Sequence, residues 1–151
     1  MDVSYDVFTG AFLSKITEYD LLLIDDEKKT IIVDGYMKRA ISTFKQTCRV
    51  DYILSEDDET RTFVFEDLPD DFDFDEVVDI ISEGMVVNWL KPYVYKQEIL
   101  EQTLNTRDFT TYSTAELLYR IGTTYQKAQS DFTQMMREYS FNHGDLSTLH
   151  I

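Results

Sequence analysis

Over the last third of the chain, apolar residues recur at alternating spacings of three and four: Leu118, Ile121, Tyr125, Ala128, Phe132, Met135 and Tyr139. That rhythm puts them on one stripe of a helix, and Ser113 with Glu116 stands at capping-box spacing to mark its start. A helix over 113–139 is roughly 40 Å long at about 1.5 Å per residue, so it should project from the domain or line a partner. Beyond it, Gly144 reads as a helix stop, and Phe141, Leu146, Leu149 and Ile151 are apolar where a frayed segment is usually polar. The expected division is a helical domain over 1–140 and a docking tail over 141–151.

The same rhythm predicts three earlier helices. A first covers 5–17, with Phe8, Phe12 and Ile16 on one face and Ala11 beside them. Leu21 to Ile24 forms an apolar hinge, and a second helix over 26–48 buries Val33, Tyr36, Met37, Ala40, Ile41, Phe44 and Cys48 while its lysines face outward. The third begins near Asp73, a capping side chain, and is apolar nearly all round through Val77, Val78, Ile80, Ile81, Met85, Val86, Val87, Trp89 and Leu90. Such a helix belongs at the centre of a core. Pro92 should kink it or split it after Trp89, with a continuation through Tyr95, Ile99 and Leu104. Between the second and third helices, the runs 51–54 and 62–65 flank a polar stretch, so a short β-hairpin or an extended surface loop belongs there. The fold class is therefore mostly α: a bundle of four to five helices with a long C-terminal helix and an extended tail.

Composition narrows the function. A chain of 151 residues with 43% hydrophobic and 14% aromatic content folds as one domain despite a net charge of −15. Its single cysteine, Cys48, forms no internal disulfide. No apolar run approaches a membrane span, and the acidic opening is unlike a signal peptide, so a soluble, unexported protein is expected. The charge is unevenly placed: residues 51–79 carry thirteen acids against one base, Arg61, whereas 27–49 is net positive. That asymmetry suits an internal salt-bridge seam or head-to-tail contact between copies.

Catalytic and ligand-binding patterns are mostly missing. None of the five glycines sits in a phosphate-cradling loop. Asp71, Asp73 and Asp75 imitate the start of a calcium loop, but Glu76 stands where glycine is needed and Ser82 where the bidentate acid belongs, which favours a solvated helix entry. His143 and His150 flank Asp145 without a third firm ligand, and Cys48 closes an apolar stripe as a structural thiol would. Cofactors and metals are expected to be none, and nothing argues for an enzyme. A chain at −15 also repels nucleic acid rather than gaining from counterion release.

As a whole, the sequence resembles the head-tail connector (adaptor) proteins of long-tailed bacteriophages. The likeness lies in Tyr5-Asp6-Val7-Phe8-Thr9-Gly10-Ala11-Phe12-Leu13-Ser14-Lys15-Ile16, in Val33-Asp34-Gly35-Tyr36-Met37-Lys38-Arg39-Ala40 followed by Phe44, and in Tyr139-Ser140-Phe141-Asn142-His143-Gly144-Asp145-Leu146. The acidic segment 55–75 is longer than a minimal adaptor needs. The resemblance implies a virion protein of the neck, made in the host cytoplasm, forming a homo-oligomeric ring of about twelve copies under the portal protein. The next neck protein, a stopper or tail-completion protein, would bind below, and DNA would pass through without specific binding; no membrane is involved. Docking on the portal falls to Tyr139, Phe141, His143, Leu146, Leu149 and Ile151. Contact between copies falls to Lys38, Arg39, Lys45 and Arg49 against Asp57, Asp58, Glu59 and Asp71. The competing readings are an acidic helical inhibitor that mimics DNA, and another neck or tail-completion protein; an enzyme comes last.

Overall fold

The computed structural model describes residues 1–19, 29–48, 50, 52–95 and 114–143. Along the chain these form β1 (Asp2–Ser4), α1 (Tyr5–Tyr19), α2 (Lys29–Thr47), β2 (Ile53–Asp57), β3 (Thr62–Glu66), α3 (Phe74–Tyr95) and α4 (Thr114–His143). The fold is mostly helical, with four helices among the described residues, a small antiparallel sheet and a long C-terminal helix.

The centre is α3. Its residues from Ile80 to Val87 are all buried, as are Trp89 and Leu90, so no face of that stretch meets solvent. Such a helix is stable only when neighbours cover it on every side, and α1, α2 and α4 all pack against it. Phe8 and Phe12 of α1, with Met37, Ala40, Ile41 and Phe44 of α2, are sealed beneath the surface. The aromatic rings meet mainly edge to face, as Phe12 does with Trp89 at 6.1 Å and Phe8 with Phe63 at 5.2 Å. Where α2, α3 and α4 come together, Gly84 removes the side chain that would collide: a Cβ there would lie 2.7 Å from the Phe132 ring and 3.0 Å from the Ala40 Cβ.

The hairpin forms as expected, with Leu54 opposite Phe65 and Glu56 opposite Phe63. A third strand was not foreseen. β1 pairs with β3, giving the order β1-β3-β2, and Met1 extends the pairing by exchanging 2.8 Å hydrogen bonds with the Phe65 backbone. Three residues are too few for period-two alternation to show.

The boundaries need several corrections. Asp73 caps α3 as expected, its Oδ1 accepting from the backbone N–H of Asp75 at 3.1 Å and of Glu76 at 3.4 Å. Pro92, expected to kink α3 or split it after Trp89, does not split it: the helix contains the proline and runs on to Tyr95. Burial of Val86, Trp89 and Leu90 fixes the backbone leading into the proline and offsets the lost hydrogen bond. Met136 is buried in place of Met135, which is half-buried, because the end of α2 lies on that side: the Cys48 thiol donates to the Met136 carbonyl at 3.4 Å. Tyr36 is half-buried. The long helix does not stop near Tyr139; Ser140, Phe141, Asn142 and His143 are helical, so the expected tail is shorter by the three residues 141–143. The hinge 21–24, Asp26, Ser113 and the continuation through Ile99 and Leu104 lie outside the described residues.

Gly84→Ala should destabilise the fold by about 2 kcal/mol in urea unfolding, because the added methyl would collide with the Phe132 ring and press on Ala40. Combining it with Phe132→Leu should cost less than the two single changes added together. Strict additivity would mean that the three helices do not meet at this point.

Candidate functional site

Two surfaces hold the residues that the sequence singled out. The first is the seam where the hairpin meets α1 and α2. At its turn, Asp57 Oδ1 accepts from the backbone N–H of Glu59 at 3.1 Å and of Thr60 at 3.3 Å. Arg61 then enters β3 with a left-handed φ of 51°. Its guanidinium grips Asp34 with two hydrogen bonds, 3.0 Å from Nε and 2.8 Å from Nη2, and reaches Asp6 at 2.9 Å through Nη1. It also lies 5.7 Å from the centre of the Tyr5 ring. The only base of the acidic segment thus ties the hairpin to both neighbouring helices.

Beside it, Lys38 of α2 pairs with Asp58 at 2.7 Å, and the Tyr5 hydroxyl donates to the same Asp58 oxygen at 2.8 Å. Lys38, and after it Tyr5, hold the Asp58 carboxyl below its ordinary range. Lys45 donates to the outward carbonyl of Leu54 at 3.1 Å. Two of the four cations expected to reach another copy are therefore engaged within the chain. The charge asymmetry serves, at least here, as an internal seam. Arg39 and Glu59 are exposed, and Arg49 lies outside the described residues.

The second surface is the C-terminal turn of α4. Tyr139, expected to dock on a partner, is interior: its ring packs on Phe44 at 5.2 Å and its hydroxyl shares a 2.8 Å hydrogen bond with that of Tyr52. His143 packs against Tyr139, its ring tilted by 39° with centres 4.6 Å apart, and bridges back to the entry of α3, with Nε2 3.1 Å from Glu76 and Nδ1 3.4 Å from Asp71. Asp71, expected at the contact between copies, is thus placed against the chain's own histidine. Phe141, between these anchors, is 68% exposed. Leu146, Leu149, Ile151, Asp145 and His150 lie outside the described residues.

One pair went unforeseen. Glu83, buried in α3, is met by Lys15 of α1 at 2.9 Å, and Lys15 also pairs with Asp79 at 2.9 Å. Burial draws the Lys15 ammonium down, but the two carboxylates outweigh it and the net direction is up. The clue in the sequence was a charged residue inside an all-round apolar helix.

Chemical machinery is sparse at these surfaces. Among the described residues, no group of three or more His, Cys, Asp or Glu is arranged to hold a metal ion. Cys48 is buried, and burial pushes its thiol up, away from a reactive thiolate. A cavity of about 160 Å³ between α1 and α2 is lined by Asp6, Asp34 and Arg61, whose charges already satisfy one another. No helix of the described residues is long and apolar enough to cross a membrane.

Burial holds the phenols of Tyr5, Tyr52, Tyr125 and Tyr139 above their ordinary range and pushes Tyr36 up to about 12. The folded chain keeps protons that the unfolded chain releases near pH ~10. This contribution to stability is therefore fully present below that pH and is lost as pH rises through the folded-state values. Urea midpoints at increasing pH, read beside phenolate absorbance, should hold level to about pH 10 and then fall together with ionisation. Full phenolate formation near pH 10 without loss of structure would contradict the burial.

Comparison of the chain with protein-family models gives no match, and neither the curated proteins nor the solved structures give a significant one.

Proposed function

We propose that the chain is a structural virion protein, a head-tail connector adaptor that forms a ring under the portal, extends the DNA channel and offers the platform for neck and tail attachment. The observation that carries the reading is the C-terminal end of α4. There Tyr139 and His143 fix the last turn to the body, while Phe141 between them is held outward and exposed. The sequence that follows supplies further apolar residues at Leu146, Leu149 and Ile151. An aromatic presented on a rigid turn loses little entropy on binding and suits insertion into a groove between portal subunits. A ring of about twelve copies, each at −15, would surround the channel with negative charge and let DNA pass without adhering.

The test is light scattering of the full chain mixed with the portal ring of the same genome. The full chain should join at about one copy per portal subunit. Phe141→Asp, on an exposed position, should leave the fold intact and weaken binding at least tenfold, as the loss of about 1.5 to 3 kcal/mol of apolar burial requires. Absence of binding by the unaltered chain would overturn the connector reading and favour the acidic inhibitor, to be tested by competition with DNA for a target.

A further inference from the structure

We propose that one flank of α4, between Tyr119 and Phe141, is the surface on which a second copy of this chain docks its acidic side. The inference rests on the connector reading only for the ring; the surface itself is argued from α4.

The stripe of α4 that faces the core carries Ile121, Tyr125, Ala128, Phe132, Met136 and Tyr139. At 100° per residue its two outer flanks differ in chemistry. One carries charges of both signs: Glu116, Arg120, Lys127, Asp131 and Glu138. The other carries Gln126, Gln129, Ser130, Thr133, Gln134 and Arg137, which line a shallow depression of about 350 Å³. None of the six is acidic, in a chain of 29 acids against 14 bases, and only at the margin does Glu138 of the first flank reach in, accepting from Gln134 Nε2 at 3.0 Å. Tyr119, 75% exposed, and Phe141, 68% exposed, stand at its two ends. Exposed aromatics bounding an acid-free strip are the composition of an interface rather than of a solvated surface.

Charge complementarity identifies the occupant. Glu59, Glu66, Asp67, Asp70 and Asp75 are exposed around the hairpin and the entry to α3, where Arg61 and Lys38 are already engaged by other carboxylates. Two copies meeting through these surfaces would set carboxylate against carboxylate. Placing the acidic side of one copy on the acid-free flank of the next gives those carboxylates amide, hydroxyl and guanidinium donors. Such a contact is heterologous, so it propagates from copy to copy and closes a ring where the rotation permits. The flank measures roughly 33 by 10 Å from helix dimensions. That is less than half of the roughly 800 Å² per partner typical of a stable complex, so the contact is weak for an isolated pair and gains strength when a template holds many copies.

The experiment compares three full-length chains: the unaltered one, Ser130→Glu/Arg137→Glu on the acid-free flank, and Thr124→Asp/Lys127→Glu on the other side of α4, which adds the same negative charge. Circular dichroism confirms folding, sedimentation up to millimolar concentration reads self-association, and native mass spectrometry reads the distribution of copies on portal rings. The unaltered and control chains should self-associate alike and fill portal rings cooperatively. The flank variant should self-associate at least tenfold more weakly and occupy portal sites independently of one another. Equal self-association by all three chains, or equal weakening by both variants, would overturn the proposal. If no chain binds the portal while the difference in self-association persists, the connector reading fails and the docking surface stands.

Discussion

Everything in this fold is arranged around the need to cover α3. A helix with no solvent-facing side through its middle has to be enclosed before it is stable, so α1, α2 and α4 are held together by what they hide. Close approach is the geometric condition for that enclosure, and Gly84 meets it where Phe132 and Ala40 come nearest. The one charge admitted to the centre among the described residues, Glu83, is tolerated because Lys15 arrives from α1 to meet it. Removing either partner would leave the other poorly solvated, which couples α1 to α3 more tightly than apolar contact alone does.

Charge is the second organising constraint. At −15 the chain repels itself, and several of its polar contacts join elements that are distant in sequence. Arg61 joins the hairpin to α1 and α2, Lys38 joins α2 to the hairpin turn, and His143 joins the end of α4 to the entry of α3. The ion pairs of Arg61 and Lys38, being near the surface, contribute little each and are screened by salt. The value of these contacts is positional: they set the hairpin and the last turn of α4 relative to the core, and so decide which side chains remain outside. Phe141 is outside because its neighbours Tyr139 and His143 are held inside.

The helices were legible because burial imposes a 3.6-residue rhythm on the sequence, and even the Met135 and Met136 exchange is a one-residue ambiguity within that rhythm. The hairpin and the Asp73 cap were legible for the same local reason. What could not be read was whatever depends on a partner far along the chain. Glu83 finds Lys15 across 68 residues, and Arg61 finds Asp34 across 27. Tyr139 illustrates the conflict: its place in the buried stripe indicated core, its nearness to an apolar tail suggested docking, and the periodic signal prevailed. The candidate docking residues were legible only as apolar side chains in an unexpected place. The exposure of Phe141 depends on how the last turn of α4 is anchored, which composition does not encode.

Hydrogen exchange of the full chain, alone and on the portal ring, tests the central claim most directly, because it reads core and docking segment in one sample. Amides of α3 should be the slowest in both states, exchanging only through global unfolding. Protection newly gained on the portal should concentrate in residues 141–151. If the complex forms while those residues exchange as fast as before, or if α3 opens before α1 and α4 release it, the account is wrong about what the helix end presents and what it is anchored to.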